Sequence, residues 1–172
     1  VYGVSRADGL FYPSKAGTQF KHGEHGMDSP GFKQNVYWRV WQNMKSLEAR
    51  GLDPLQLLID RAHDKGMDFF ASLRLASYAT MNPAYETRNG GRGWVEPEVR
   101  EFQFNVLKEL AVDYPTEGVE LDFAAAPSGA PPHFRDEDDA REYTPTMTEW
   151  VASVADMVRG RAGELGQVGA RV

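Results

Sequence analysis

The chain contains no cysteine, which excludes disulfides and thiolate metal sites without fixing the compartment. No apolar run approaches a membrane span and no stretch reads as a secretory leader, so no membrane partner is expected. Positive charge is in short supply. The 19 Lys and Arg against 25 Asp and Glu give −6, which removes the electrostatic case for nucleic acid. No Gly-x-Gly-x-x-Gly follows any apolar stretch, so a dinucleotide-binding sheet has no support and no cofactor is expected.

What is present is an alternation of apolar strands and amphipathic helices. Val1-Tyr-Gly-Val4 reads as the end of a strand, and residues 16–36, rich in Gly, His and Lys, read as a long loop. Tyr37 to Ala49 has Trp38, Trp41 and Met44 at helical spacing, which predicts a helix with these side chains in the core. Asp53-Pro54 is a helix start, an acid at the cap followed by proline at the first helical position. Leu55, Leu58, Ile59 and Ala62 give that helix its stripe, and Gly66 ends it before an apolar strand reaching Arg74. After a second long loop at 75–96, a third helix starts at Pro97, with Val99, Phe102, Val106 and Leu110 on one side, and stops at Tyr114-Pro115. Residues 124–145 read as a third loop whose charge run, 135–139, is a solvated surface. Thr146-Met-Thr-Glu149 has the pattern of a capping box ahead of Trp150, Val151, Val154 and Val158, and the chain finishes in an apparent strand at 168–172.

Such alternation predicts right-handed crossovers and a parallel sheet. Loops are long after each strand and short after each helix, the asymmetry of a (β/α)8 barrel whose site is built at the carboxyl ends of its strands. The expected fold is therefore α/β, a partial TIM (β/α)8 barrel of about four parallel strands in sequential order with outer helices. Residues 1–172 are expected to form one fragment of a longer catalytic domain. The two open edges of such a fragment favour self-association.

The most informative stretch is Glu117-Gly-Val-Glu-Leu-Asp-Phe-Ala124. It predicts a short buried strand with Glu120 and Asp122 on one face, because side chains at i and i+2 of a strand point the same way. A carboxylate in a covered strand is costly unless something pairs with it or uses it. Arg74 and Arg171, each at the carboxyl end of an apolar strand, are candidates to pair with these acids or to donate to a ligand. Tyr2, Tyr12, Trp94 and His133 are expected on the same face, where aromatic rings suit the apolar face of a ligand. His63 is expected to be structural. His22-Gly-Glu-His25 lacks the His-Glu-x-x-His spacing, so no metal site is expected.

Several short segments, in order, resemble the glycosyl hydrolase-like barrels of bacteria. They are Asp8-Gly-Leu-Phe-Tyr-Pro-Ser-Lys15, Asp53-Pro-Leu55 with Ala62-His-Asp-Lys-Gly-Met67 leading into Ala71-Ser-Leu-Arg74, Pro97-Glu-Val-Arg100 and Gly118-Val-Glu-Leu-Asp-Phe123. The resemblance implies that residues 118–123 are the fourth strand of a barrel, with one strand before Val1 and others after Val172. This chain departs from the family pattern in having Arg74-Leu-Ala-Ser77 and Ala124-Ala-Ala126 where such proteins carry further polar groups. The acidic strand is also similar, more loosely, to the Asp-Gly-x-Asp-x-Asp-x-Glu motif of family 18 chitinases. Ala124 stands where their general acid would be.

The resemblance implies a glycoside hydrolase acting on a poly- or oligosaccharide. Hydrolysis of this kind uses two carboxyl groups about 5 Å or about 6.5–9.5 Å apart across the scissile bond. Glu120 and Asp122 are roughly 6.6 Å apart along one strand, which is one wall and not two. Asp122 is therefore expected to be nucleophile or general base. Glu120, one layer deeper, is expected to orient it or to pair with Arg74 or Arg171, and the general acid is expected on a later strand. The competing readings are a non-catalytic carbohydrate-binding barrel, a chitinase-like hydrolase lacking its acid, and a half barrel with no ligand.

Overall fold

The computed structural model describes residues 1–6, 9–20, 32–75, 93–123, 134, 136–162 and 166–171. In chain order these form β1 (Tyr2–Gly3), β2 (Ser5–Arg6), β3 (Gly9–Leu10), α1 (Phe32–Glu48), α2 (Pro54–His63) and β4 (Phe70–Arg74). A 3₁₀ turn at Gly93–Val95 then leads into α3 (Pro97–Val112), followed by β5 (Gly118–Asp122), α4 (Glu137–Ala162) and β6 (Gln167–Arg171). Strands β1, β4, β5 and β6 form one sheet in that order, each pair parallel. Sequential parallel strands linked through helices give a partial α/β barrel-like fold, as the alternation predicts. No helix among the described residues is long and apolar enough to cross a membrane.

The sheet owes its stability to one face. Ala71, Leu73, Val119 and Leu121 point one way from the two central strands and are at most 5% exposed. Against them pack Leu55 and Ile59 of α2, Val106, Leu107 and Leu110 of α3, and Val154 and Val158 of α4. Each such aliphatic side chain contributes about 1.5–3 kcal/mol on burial. The α2 stripe is narrower than its spacing suggests, since Leu58 remains 38% exposed. In α1, Met44 is buried, whereas Trp38 and Trp41 stay half-buried and outside the core, Trp41 lying beneath the Lys45 ammonium at 4.4 Å.

Two boundaries differ from the sequence reading. Helix α1 begins at Phe32, inside the expected loop, and α4 begins at Glu137, well before Thr146. The capping signal of α4 lies within the charge run, where Asp136 Oδ1 accepts from the backbone N of Asp139 at 2.8 Å. Glu137, Asp138 and Asp139 then occupy the first turn, where carboxylates meet the positive end of the helix dipole. Thr146 and Glu149 are consequently mid-helix residues, and Pro145 sits inside α4 at the loss of one backbone rung. The expected loop after β1 also holds structure, because β2 and β3 pair antiparallel as a small hairpin. Gly9 is required there: its φ is 151°, and a Cβ would stand 2.6 Å from the backbone N of Phe20.

Strand β5 is tied to the start of β4 by Glu117. Its carboxylate accepts from the backbone N of Phe69 at 2.6 Å and lies 3.1 Å from Nε2 of His63, at the end of α2. His63 is thus structural, as expected. Partial burial pushes the Glu117 carboxyl up, but the Phe69 N–H and the imidazole outweigh it and hold the group below its ordinary value. A carboxyl lowered in the fold stabilises above the ordinary range, about pH 4.3, and loses that contribution as the pH falls through the folded value. Glu117→Gln should therefore flatten the acid limb of the stability profile below about pH 4.3, with little change in pH dependence near neutrality, as read by thermal melts across pH.

Candidate functional site

The opposite face of the sheet carries the polar side chains. In-register neighbours in a parallel sheet share a face, so Arg74, Asp122 and Arg171 form one row across the carboxyl ends of β4, β5 and β6. The row beneath is Gly3, Ser72, Glu120 and Gly169, and beneath that lie Phe70, Gly118 and Gln167. Asp122 is 6% exposed, and its Oδ2 lies 3.6 Å from Nε of a half-exposed Arg74. Glu120 Oε1 accepts from the Ser72 hydroxyl at 2.8 Å. The structure brings Asp122, Glu120 and Arg74 together on one face, with Arg171 exposed at its margin.

The division of roles between the two acids differs from the expectation. Glu120, one layer deeper, is the more exposed, and its partner is Ser72, not an arginine. Depth along the strand is overruled by what stands beside each residue. Glycines flank the Ser72–Glu120 pair on both sides, and a Cβ placed on Gly169 would only just touch the Glu120 side chain, at 3.8 Å. Asp122 has a strand on each side, and its carbonyl and that of Arg171 accept from Leu75 N and Phe123 N as the chain turns away. Gln103 of α3, itself buried, donates to the Leu75 carbonyl at 2.9 Å and fixes the end of β4 next to Arg74.

Three expected sugar-facing aromatics lie elsewhere. Tyr2 pairs in register with Ala71, which places it on the helix-covered face against Phe69 at 6.0 Å, and burial raises its phenol pKa. Trp94 is 2% exposed, with Phe134 and Tyr143 edge-on at 5.9 and 5.7 Å. Tyr12 is fully buried, edge-on to Tyr114 at 5.4 Å. In each case a large ring in or beside a loop gains more from packing under helices than from lining a polar cleft. His133, the Ala124–Ala126 segment, Asp8 and the His22–His25 segment lie outside the described residues. Among those described, no group of three or more His, Asp or Glu side chains could hold a metal.

A carboxylate that the sequence reading did not single out organises the first loop. Glu109 of α3 is 7% exposed and accepts from the Tyr12 hydroxyl at 2.9 Å, the Ser14 hydroxyl at 2.5 Å and the backbone N of Lys15 at 2.6 Å. Burial and the neighbouring Glu109 charge raise the Tyr12 pKa well above the ordinary tyrosine value, so it remains a donor at any physiological pH. The signal was available, because Glu109 falls three residues after Val106, on the apolar side of α3. Compared with protein-family models and with curated proteins, the chain matches none.

Two stability outcomes follow from this geometry. Glu109→Ala strands the buried Tyr12 hydroxyl and releases two part-buried donors, and should cost roughly 2 kcal/mol in denaturant melts, since a buried orphan group costs about 1–3 kcal/mol. On the polar face, Asp122→Ala should cost roughly 2 kcal/mol and Glu120→Ala less than about 1 kcal/mol, because only the first empties a buried position. Equal losses at the two acids would contradict the burial difference.

Proposed function

We propose that this chain carries part of the active site of a glycoside hydrolase-like barrel acting on a poly- or oligosaccharide, with Asp122 as nucleophile or general base. The observation that supports the reading best is the buried Asp122 carboxylate, flanked by arginines at the carboxyl end of a sequential parallel sheet, where barrel sites are built. The similarity of the Gly118–Phe123 segment to bacterial glycosyl hydrolase-like barrels supports it independently.

In this reading Arg74 orients the Asp122 carboxylate through Nε. An Asp122 oxygen then either attacks the anomeric carbon as the glycosidic C–O bond breaks or accepts a proton from the water that does so. The leaving oxygen takes its proton from a second carboxyl group across the sugar. Glu120 stands on the same strand as Asp122 and cannot occupy that side, so the acid is supplied from outside the described residues. Glu120 and Ser72 instead form the floor of the cleft.

The sequence Ala124-Ala-Ala126, where the family pattern carries polar groups, favours a second reading, a barrel that binds carbohydrate without cleaving it. The two separate in one experiment on the complete protein. Asp122→Asn should lower turnover of a cleaved glycan by about 10²–10⁴-fold while circular dichroism and glycan binding persist. Unchanged turnover would remove Asp122 from the chemistry, and wild-type binding without any turnover would select the non-catalytic reading.

A further inference from the structure

Above its floor the polar face has an unusual charge order. Arg74, Asp122 and Arg171 stand side by side on three neighbouring strands, guanidinium, carboxylate, guanidinium. Neighbouring strands lie about 4.8 Å apart, so the two arginines flank the acid from backbones about 10 Å apart, close to the width of one sugar ring with its substituents. Arg74 offers Asp122 its Nε, which leaves both terminal nitrogens of its fork without an acceptor among the described residues. Arg171 is exposed, and its guanidinium likewise has no acceptor among them. The top row alone, one carboxylate against two guanidinium groups, carries one excess positive charge on a chain whose net charge is −6, and the Glu120 carboxylate one row below offsets it on the face as a whole.

Beneath this rim, Gly3 and Gly169 contribute no side chain, and a Cβ placed on Gly3 would meet nothing within 4 Å. The row therefore has room where a ligand would descend, with donors above it and the Glu120–Ser72 pair below. Planar forks with free donors match a carboxylate or sulfate in bidentate fashion and gain less from a lone hydroxyl.

We propose that the cleft selects an acidic saccharide, with a uronate carboxylate or a sulfate ester held by Arg171 and the outer nitrogens of Arg74. The inference rests on the carbohydrate reading above and names the class of sugar it serves. Overall negative charge repels such a ligand, so any preference for it must arise locally, at this row.

The test is calorimetric binding of size-matched oligosaccharides to the complete protein with Asp122→Asn to prevent turnover. It uses uronate-bearing oligosaccharides beside the same chains after carboxyl reduction, and sulfated ones beside their desulfated forms. The acidic member of one pair should bind at least about ten-fold tighter, the scale of a hydrogen bond to a charged group. The responding pair identifies the anion. The advantage should shrink as salt rises and should be lost in Arg171→Gln, with Arg171→Lys retaining part of it. Neutral members binding as tightly as acidic ones would overturn the acidic specificity and leave the carbohydrate reading in place. An acidic preference untouched by Arg171→Gln would overturn the assignment to this row. Binding of no saccharide at all would remove both readings.

Discussion

A carboxylate taken out of water loses several kcal/mol of hydration unless an opposite charge or a set of donors replaces it. Asp122 is in that position, and the register of the sheet sets Arg74 beside it. Arg74 can reach Asp122 only if β4 and β5 pair so that the two residues stand opposite, and that register also aligns Ala71 with Val119 and Leu73 with Leu121 on the covered face. A one-residue slip of β4 against β5 would turn Arg74 toward the helices and Ala71 and Leu73 onto the polar face. The polar and apolar faces therefore enforce the same alignment.

Glu109 meets the same demand by other means. It lies on the helix side of the sheet and replaces its hydration with two hydroxyls and a backbone N–H, all from the Tyr12–Lys15 turn. The two buried acids thus serve different ends. One stands beside a half-exposed guanidinium on the polar face of the sheet. The other is bound by three short-range donors and acts as a rivet for the loop after β1.

Much of the frame was legible because it is written in local periodicity. Asp53-Pro54 and the strands ending at Arg74 and Asp122 announce themselves through capping chemistry and apolar runs. The start of α4 was hidden because an acidic run reads equally as solvated loop and as a dipole-matched first turn, and only the Asp136–Asp139 contact decides. The side on which Tyr2 lies depends on its pairing with Ala71, a long-range register that no local pattern contains. Tyr12 follows the same logic, since its partner Glu109 is 97 positions away. The relative exposure of Glu120 and Asp122 was invisible for a subtler reason, namely that it is decided by glycines on neighbouring strands.

The strand order β1-β4-β5-β6 has a consequence for how the chain assembles. No strand of this sheet has to be threaded between two already paired, because each adds to the edge left by the one before it in sequence. Closure entropy grows only with the logarithm of loop length, about 0.6 kcal/mol per doubling, so the crossovers from β4 to β5 and from β5 to β6 carry similar penalties. Joining β1 to β4 spans the longest intervening segment and brings only a two-residue strand in return. The central pair with its covering helix is thus the natural seed, and the amino-terminal strand is the last and most easily lost of the four.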